Sequence, residues 1–297
     1  MAPHIERIAE NFQLGEGPHW DGDTQSLYFV DIKGESIHRY VPATKKLTKA
    51  NIGTHVSLII PVEGHKNTFL ISKERQLLVV TWDGESDNIT VVKKINTDNN
   101  EKFNDGKCDP TGRLWVGTLA PREGGATGCL YSIEKGHVTK VADKIIISNG
   151  LAFNTEIKKM YYIDTHTKTV DEFDFDVERG TIKNRHPIFT LPKHDIPGGP
   201  DGMTIDTDGN LWVATFGGGR IFKIDPRKPE TLLYTISLPA KQITSVAFGG
   251  SKLDELYVTT ACVQHGDGAK LSPPENGGLY RITGLGARGF PANKFII

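Results

Sequence analysis

Six short runs of β-branched and aromatic residues recur along the chain: "LYFVDI" (27–32), "TFLIS" (68–72), "LWVGTL" (114–119), "MYYIDT" (160–165), "LWVATF" (211–216) and "LYVTTA" (256–261). Their second residues are Tyr28, Phe69, Trp115, Tyr161, Trp212 and Tyr257, and they stand 41 to 51 residues apart. No single motif restricts the fold as much as this period. Each unit must be one supersecondary element that buries its faces against its neighbours. Most of the runs follow a turn such as "DGDTQS", "DPTGR" or "DTDGN", as strands do.

Each run has companions. A second set includes "SIHRYVP", "LLVVTWDG", "CLYSIEKG", "TVDEFDFD", "RIFKIDP" and "GLYRITG", alternating and turn-bounded like antiparallel partners. A third set includes "LTKANIG", "ITVVKKIN", "VTKVADKI", "HPIFTL" and "LLYTISLP". A fourth lies about a dozen residues before each aromatic run. Four strands in each of six units predict an all-β fold, a six-bladed β-propeller with four antiparallel strands per blade, over residues 1–297 as a single domain. The third set has only five internal copies. The sixth is "IERIAENF" (5–12), so the N-terminal strand is expected to complete the last blade and close the ring. Two β-sandwiches would not need six equal periods.

The innermost strand of each blade lines the central channel, which allows residues at one phase to be compared. Eleven or twelve residues before each aromatic stand Glu16, Ser57, Asn104, Asn149, Asp201 and Ser245. All six are polar; four offer a carboxylate or amide oxygen and two a hydroxyl. Asn149-Gly150 and Asp201-Gly202 are also common turn pairs. A shared phase is harder to derive from turn chemistry, since Glu16 is a poor turn former. Carboxylate and amide oxygens suit hard cations such as Ca²⁺, Mg²⁺ or Mn²⁺. No His or Cys occupies this phase, which disfavours a zinc site of nitrogen and sulfur ligands.

Strand direction places the loops between second and third strands on the same face as Glu16. Two are long, 120–128 and 262–277, and segments 97–103 and 192–200 open there too. Long loops over one end of a propeller mark a binding face. They offer Lys102, Arg122, Glu123, His194 and His265 as substrate contacts.

Composition removes other classes. The net charge is −1, so no global field draws nucleic acid or an anionic membrane. No apolar run approaches a membrane-spanning length. The N-terminus has neither signal- nor transit-peptide character. Three widely spaced cysteines, Cys108, Cys129 and Cys262, suggest neither a disulfide framework nor a zinc site. A cytoplasmic monomer acting on a small molecule, with neither a nucleic-acid nor a membrane partner, is the expectation.

The motifs "GEGPHW", "FNDGKCDPTGRLWVGT", "SNGLAFN", "MYYIDT", "PDGMTIDTDGNLWVA" and "TSVAFGG…ELYVTTA" resemble the senescence-marker-protein/gluconolactonase/luciferin-regenerating-enzyme family over nearly the whole chain. Within it they lean toward the insect luciferin-regenerating branch. The resemblance implies a six-bladed propeller with one divalent cation, Ca²⁺ first, with Mg²⁺, Mn²⁺ or Zn²⁺ able to share the site. It implies Glu16, Asn149 and Asp201 as metal ligands and Asp201 as general base in lactone hydrolysis. Asn104 would contact substrate or a metal-bound water. A family Arg that binds sugar hydroxyls is replaced here by Lys102, and a family Glu by Arg122 with Glu123 adjacent. Both departures bear on a sugar-lactone substrate, because Lys lacks the planar fork of Arg. The activities implied are hydrolysis of a lactone or similar cyclic ester, or conversion of oxyluciferin to 2-cyano-6-hydroxybenzothiazole. A calcium-binding propeller without catalysis is the third.

Overall fold

The computed structural model describes residues 2–97, 100–121, 123–263 and 275–297. Six four-stranded antiparallel sheets form the ring. The inner strands of blades 1 to 6 are Gly15–Asp21, Ile59–Pro61, Lys102–Cys108, Ser148–Asn154, Gly199–Ile205 and Gln242–Gly249. Each blade then runs outward in chain order, except the last. There His4–Ala9 pairs antiparallel with Leu279–Thr283 as the outermost strand, so the two ends of the ring share one sheet, as the sequence predicts. Among the described residues the helices are two 3-10 turns, Thr165–Thr167 and Leu191–His194, and no helix is long and apolar enough to cross a membrane.

Position in the blade explains the sequence pattern. The second strands, such as Ser26–Asp31 and Leu211–Phe216, are buried on both faces because each packs between two neighbouring blades. They therefore read as continuous apolar runs. Tyr28 meets Phe69 of blade 2 at 4.8 Å between ring centroids, so the repeating aromatics pack between blades. In two blades the turn before the run has a further role. Asp109 and Asp206, which open "DPTGR" and "DTDGN", accept the indole N–H of Trp115 and Trp212, each at 2.9 Å. Asp206 also takes the Asn210 amide at 2.8 Å, so one buried carboxylate ties the turn to the packed ring.

Five of the six inner strands share one irregularity, the short Ile59–Pro61 being the exception. Register shifts fall at Glu16/His19, Phe103/Gly106, Asn149/Leu151, Pro200/Met203 and Ile243/Ser245, the phase singled out above. A bulge breaks strict alternation, bends the strand and re-aims side chains. Glycine serves this geometry by allowing close approach. A Cβ on Gly150 would sit 2.6 Å from the Asp201 carbonyl oxygen, and one on Gly202 1.9 Å from the Ser245 hydroxyl.

The opposite face is covered by the C-terminal segment. It leaves blade 6, bonds to blade 5 through Thr207 N to Arg288 O at 2.8 Å, then crosses the channel mouth. On the far side Phe295 N bonds Pro61 O at 2.9 Å, Ile296 N bonds Gly112 O at 3.0 Å, and Lys294 pairs with Asp21 at 2.8 Å. Phe295 is fully buried among residues of blades 2 and 3. These contacts span the ring, and they leave the Glu16 face as the open end.

Candidate metal centre

Glu16, Asn149 and Asp201 are buried at one end of the channel, with exposures of 8%, 5% and 6%. They come from the inner strands of blades 1, 4 and 5. Gly17 takes a left-handed φ of 55°, and its N–H donates to Glu16 Oε2 at 2.9 Å, which holds the carboxyl in place. Asn149 is oriented from both sides. Its Nδ2 donates to Thr165 Oγ1 at 2.7 Å, and Thr165 passes on to the Pro200 carbonyl at 2.8 Å. Its Oδ1 accepts from Asn104 Nδ2 at 3.2 Å, and an amide oxygen keeps a second lone pair for a cation. Asn104 Nδ2 also donates to Ser148 O at 2.7 Å.

The two carboxyls touch, and their electrostatics are unfavourable. Glu16 is pushed up to about 8, chiefly by burial and then by the charge of Asp105. Asp201 is raised well above the usual carboxylate range by burial, by Glu16 and by Asp105. Two buried like charges cannot both ionise without a compensating cation. The donor chemistry fits one: two carboxylates and an amide, all hard oxygen donors. No cluster of three or more His, Cys, Asp or Glu suited to a metal ion occurs among the described residues; the third oxygen donor beside the two carboxyls is the Asn149 amide.

The other phase positions differ in use. Ser57 Oγ lies 2.9 Å from Ser72 Oγ and donates to Phe103 O at 3.0 Å, joining blade 2 to blade 3. Ser245 packs against Gly202. Lys102 is exposed and its ammonium lies 2.8 Å from Glu74 at the rim. That pairing, with Thr54, draws Glu74 down to about 2. Glu123 is exposed in its loop. His194 bonds Glu230 at 3.0 Å and stacks on Phe189, a structural placement. Arg122 and His265 lie outside the described residues.

Asp105 and Lys107, which the spacing of the repeats does not single out, line a cavity beside the carboxyl pair. A scan of one residue per unit passes over them, because the bulge at Phe103/Gly106 turns consecutive residues toward one space. The signal was present in "NDGK", two charges flanking a glycine.

The raised carboxyls predict how the cation-free protein responds to pH. Glu16 binds its proton more tightly folded than unfolded, so stability falls as pH rises toward about 8. His19 and His38, pushed down to about 4 by burial, act oppositely, but only below their unfolded value of 6.5. From pH 6.5 to 8 the carboxyls dominate, and chelator-treated protein is expected to lose roughly 2 kcal/mol. Urea unfolding across that range checks this; stability that is flat or rising in the chelated protein contradicts it.

A model of the SMP-30/gluconolactonase/LRE-like region matches residues 14–262. Regucalcin from Danio rerio is 36% identical over 291 residues, covering 97% of this chain and 96% of its own. Regucalcin from Oryctolagus cuniculus is 38% identical over 297 residues, with the same two coverages. Among solved structures, a luciferin-regenerating enzyme is 45% identical with a TM-score of 0.95 and full coverage of both chains. A calcium-binding protein, regucalcin, from Agrobacterium tumefaciens str. C58 has a TM-score of 0.88 at 24% identity, covering 99% of this chain and 98% of its own, and speaks to fold alone.

Proposed function

Because the chain belongs to the SMP-30/gluconolactonase/LRE-like family, we propose that it is a divalent-cation-dependent hydrolase of a lactone or similar cyclic ester. The observation that carries this reading is the buried Glu16–Asp201 carboxyl pair with the oriented Asn149 amide at the open end of the channel. Glu16, Asn149 and Asp201 would hold the ion, with Ca²⁺ the first choice. When bound, such an ion supplies Lewis-acid polarisation of a carbonyl and lowers the pKa of water.

The protein's own residues supply the rest. Asp201 accepts a proton from the attacking water as its oxygen bonds to the carbonyl carbon. The ring C–O bond then breaks, and the departing oxygen takes up that proton, giving the hydroxy acid. Asn104, fixed by Ser148 and Asn149, positions the substrate or the water. Glu16 keeps the site acidic and the Asn149–Thr165 chain keeps it rigid. All the ligands come from one chain, so the centre needs no second copy, in keeping with a monomer. Only three cysteines, widely spaced in the sequence, fit a reducing compartment such as the cytoplasm.

A second reading is the luciferin-regenerating activity, favoured by the 45% identity to a luciferin-regenerating enzyme. The Lys102–Glu74 pair at the rim also leaves the sugar-hydroxyl contact without support. Both readings use the same centre. A panel of gluconolactone, other lactones, phosphoesters and oxyluciferin, run with Ca²⁺, Mg²⁺, Mn²⁺ and Zn²⁺ and with chelator, tests them. Cation-dependent turnover of a lactone is the expected result. Turnover of oxyluciferin alone moves the assignment to the second reading. Cation binding without any turnover leaves a calcium-binding propeller and overturns the enzymatic readings.

A further inference from the structure

Next to the Glu16–Asp201 pair lies a cavity of about 30 Å³, lined among others by Gly17, His19, Asp105, Lys107 and Ser245. The lining ties this space to the centre. Gly17 is the neighbour of Glu16, and Ser245 packs on Gly202, the neighbour of Asp201. Lys107 enters from blade 3 and its Nζ donates to the Met203 carbonyl of blade 5 at 2.6 Å, reaching past the inner strand of blade 4. One long cation therefore bridges blades 3 and 5 at the channel wall, with Asp105 two residues away on the same strand and lining the same cavity.

We propose that Lys107 and Asp105 set the charge of the cation site, and with it the preference for a divalent over a trivalent ion. The inference rests on the cation-dependent reading above. Glu16, Asp201 and Asp105 carry three negative charges when ionised; burial lowers the Lys107 pKa while the neighbouring Asp105 raises it, and protonated Lys107 carries one positive charge. The net −2 is neutralised by an ion of charge +2 and by no other. His19 adds no charge, since burial keeps it neutral, and Asp21 below it is already paired with Lys294. Asp105 acts here as a neighbouring charge rather than a ligand. Both residues are positioning residues, acting on the ion through the field they impose.

The two variants should act in opposite directions and cancel. Lys107→Met and Lys107→Gln leave −3, Asp105→Asn leaves −1, and the Asp105→Asn/Lys107→Met double variant returns to −2. One unit of charge several ångströms away, at an effective dielectric of about 20, changes the trivalent-to-divalent affinity ratio by roughly tenfold or more. Titration with Ca²⁺ and La³⁺ by calorimetry, on variants whose folding is checked by circular dichroism, gives that ratio directly. La³⁺ is expected to gain at least tenfold on Ca²⁺ in either Lys107 variant and to lose as much in Asp105→Asn. The double variant is expected to return within about threefold of the parent.

A purely structural role for Lys107 would weaken both ions alike and would not be rescued by the second substitution. An unchanged ratio in a folded Lys107 variant, or a double variant no closer to the parent than its singles, overturns the inference. Should Lys107→Met not fold, Lys107→Gln and Asp105→Asn carry the same comparison. A parent chain that binds neither ion overturns this inference and the proposed function together. A parent that binds Ca²⁺ and needs it for turnover, with an unmoved ratio, overturns this inference alone.

Discussion

Asp201→Ala is expected to lower kcat for the hydrolysed lactone by at least roughly 10²–10⁴-fold, the contribution of a positioned general base. The residue has two roles, and a pair of substitutions separates them. Asp201→Asn keeps an oxygen donor at the same place but cannot take a proton. It should retain measurable cation binding while losing turnover to nearly the same extent. Asp201→Ala should lose both. Asp201 is buried and pressed against Glu16, so removing its carboxyl also relieves repulsion. The cation-free variants should accordingly be no less stable than the parent near pH 8. Normal turnover in a cation-loaded Asp201→Ala protein would remove Asp201 from the mechanism.

Glu16→Gln carries the second large effect, which reverses sign with cation. A unit charge pair at 4 Å is worth about 4 kcal/mol at an effective dielectric of 20, so cation affinity should fall at least about a hundredfold. Without cation the same substitution removes one of two crowded carboxyls, and the variant should unfold at higher temperature than the parent at pH 8. Saturating the parent with Ca²⁺ at a thousand times its Kd adds roughly 4 kcal/mol, or about 5–10 °C in Tm. Glu16→Gln should show little of that gain at the same concentration. Thermal unfolding with chelator and with Ca²⁺ gives all four values. A variant destabilised equally in both conditions would mean that Glu16 is held for packing rather than for an ion.

The contrast between these residues and the rest of the chain shows which features the sequence carries openly. Even spacing from Tyr28 to Tyr257 was enough for six blades, and the missing third-strand copy was enough to place His4–Ala9 in the last blade. Both depend on repetition, which a single chain displays. The C-terminal crossing at Lys294–Ile297 was not legible. It makes isolated bridges and single backbone bonds to several blades, with no strand-length run to read. Within the centre, phase alone selected Glu16, Asn104, Asn149 and Asp201 but gave Ser57 and Ser245 equal standing. Only the hydrogen bonds of Ser57 to Ser72 and Phe103 separate packing from function there. Lys102 could be placed near the mouth, but its partner Glu74 comes from another blade, and pairing across blades leaves no trace in spacing.

In the proposed centre Glu16, Asn149 and Asp201 meet at one ion. A crystal structure grown with Ca²⁺ tests it most directly, with anomalous scattering to identify the ion. A single ion is expected within about 2.3–2.6 Å of carboxylate oxygens from Glu16 and Asp201 and of Asn149 Oδ1, with remaining positions open to water on the channel side. An ion bound elsewhere, or these three side chains unchanged and without density between them at saturating Ca²⁺, would contradict it.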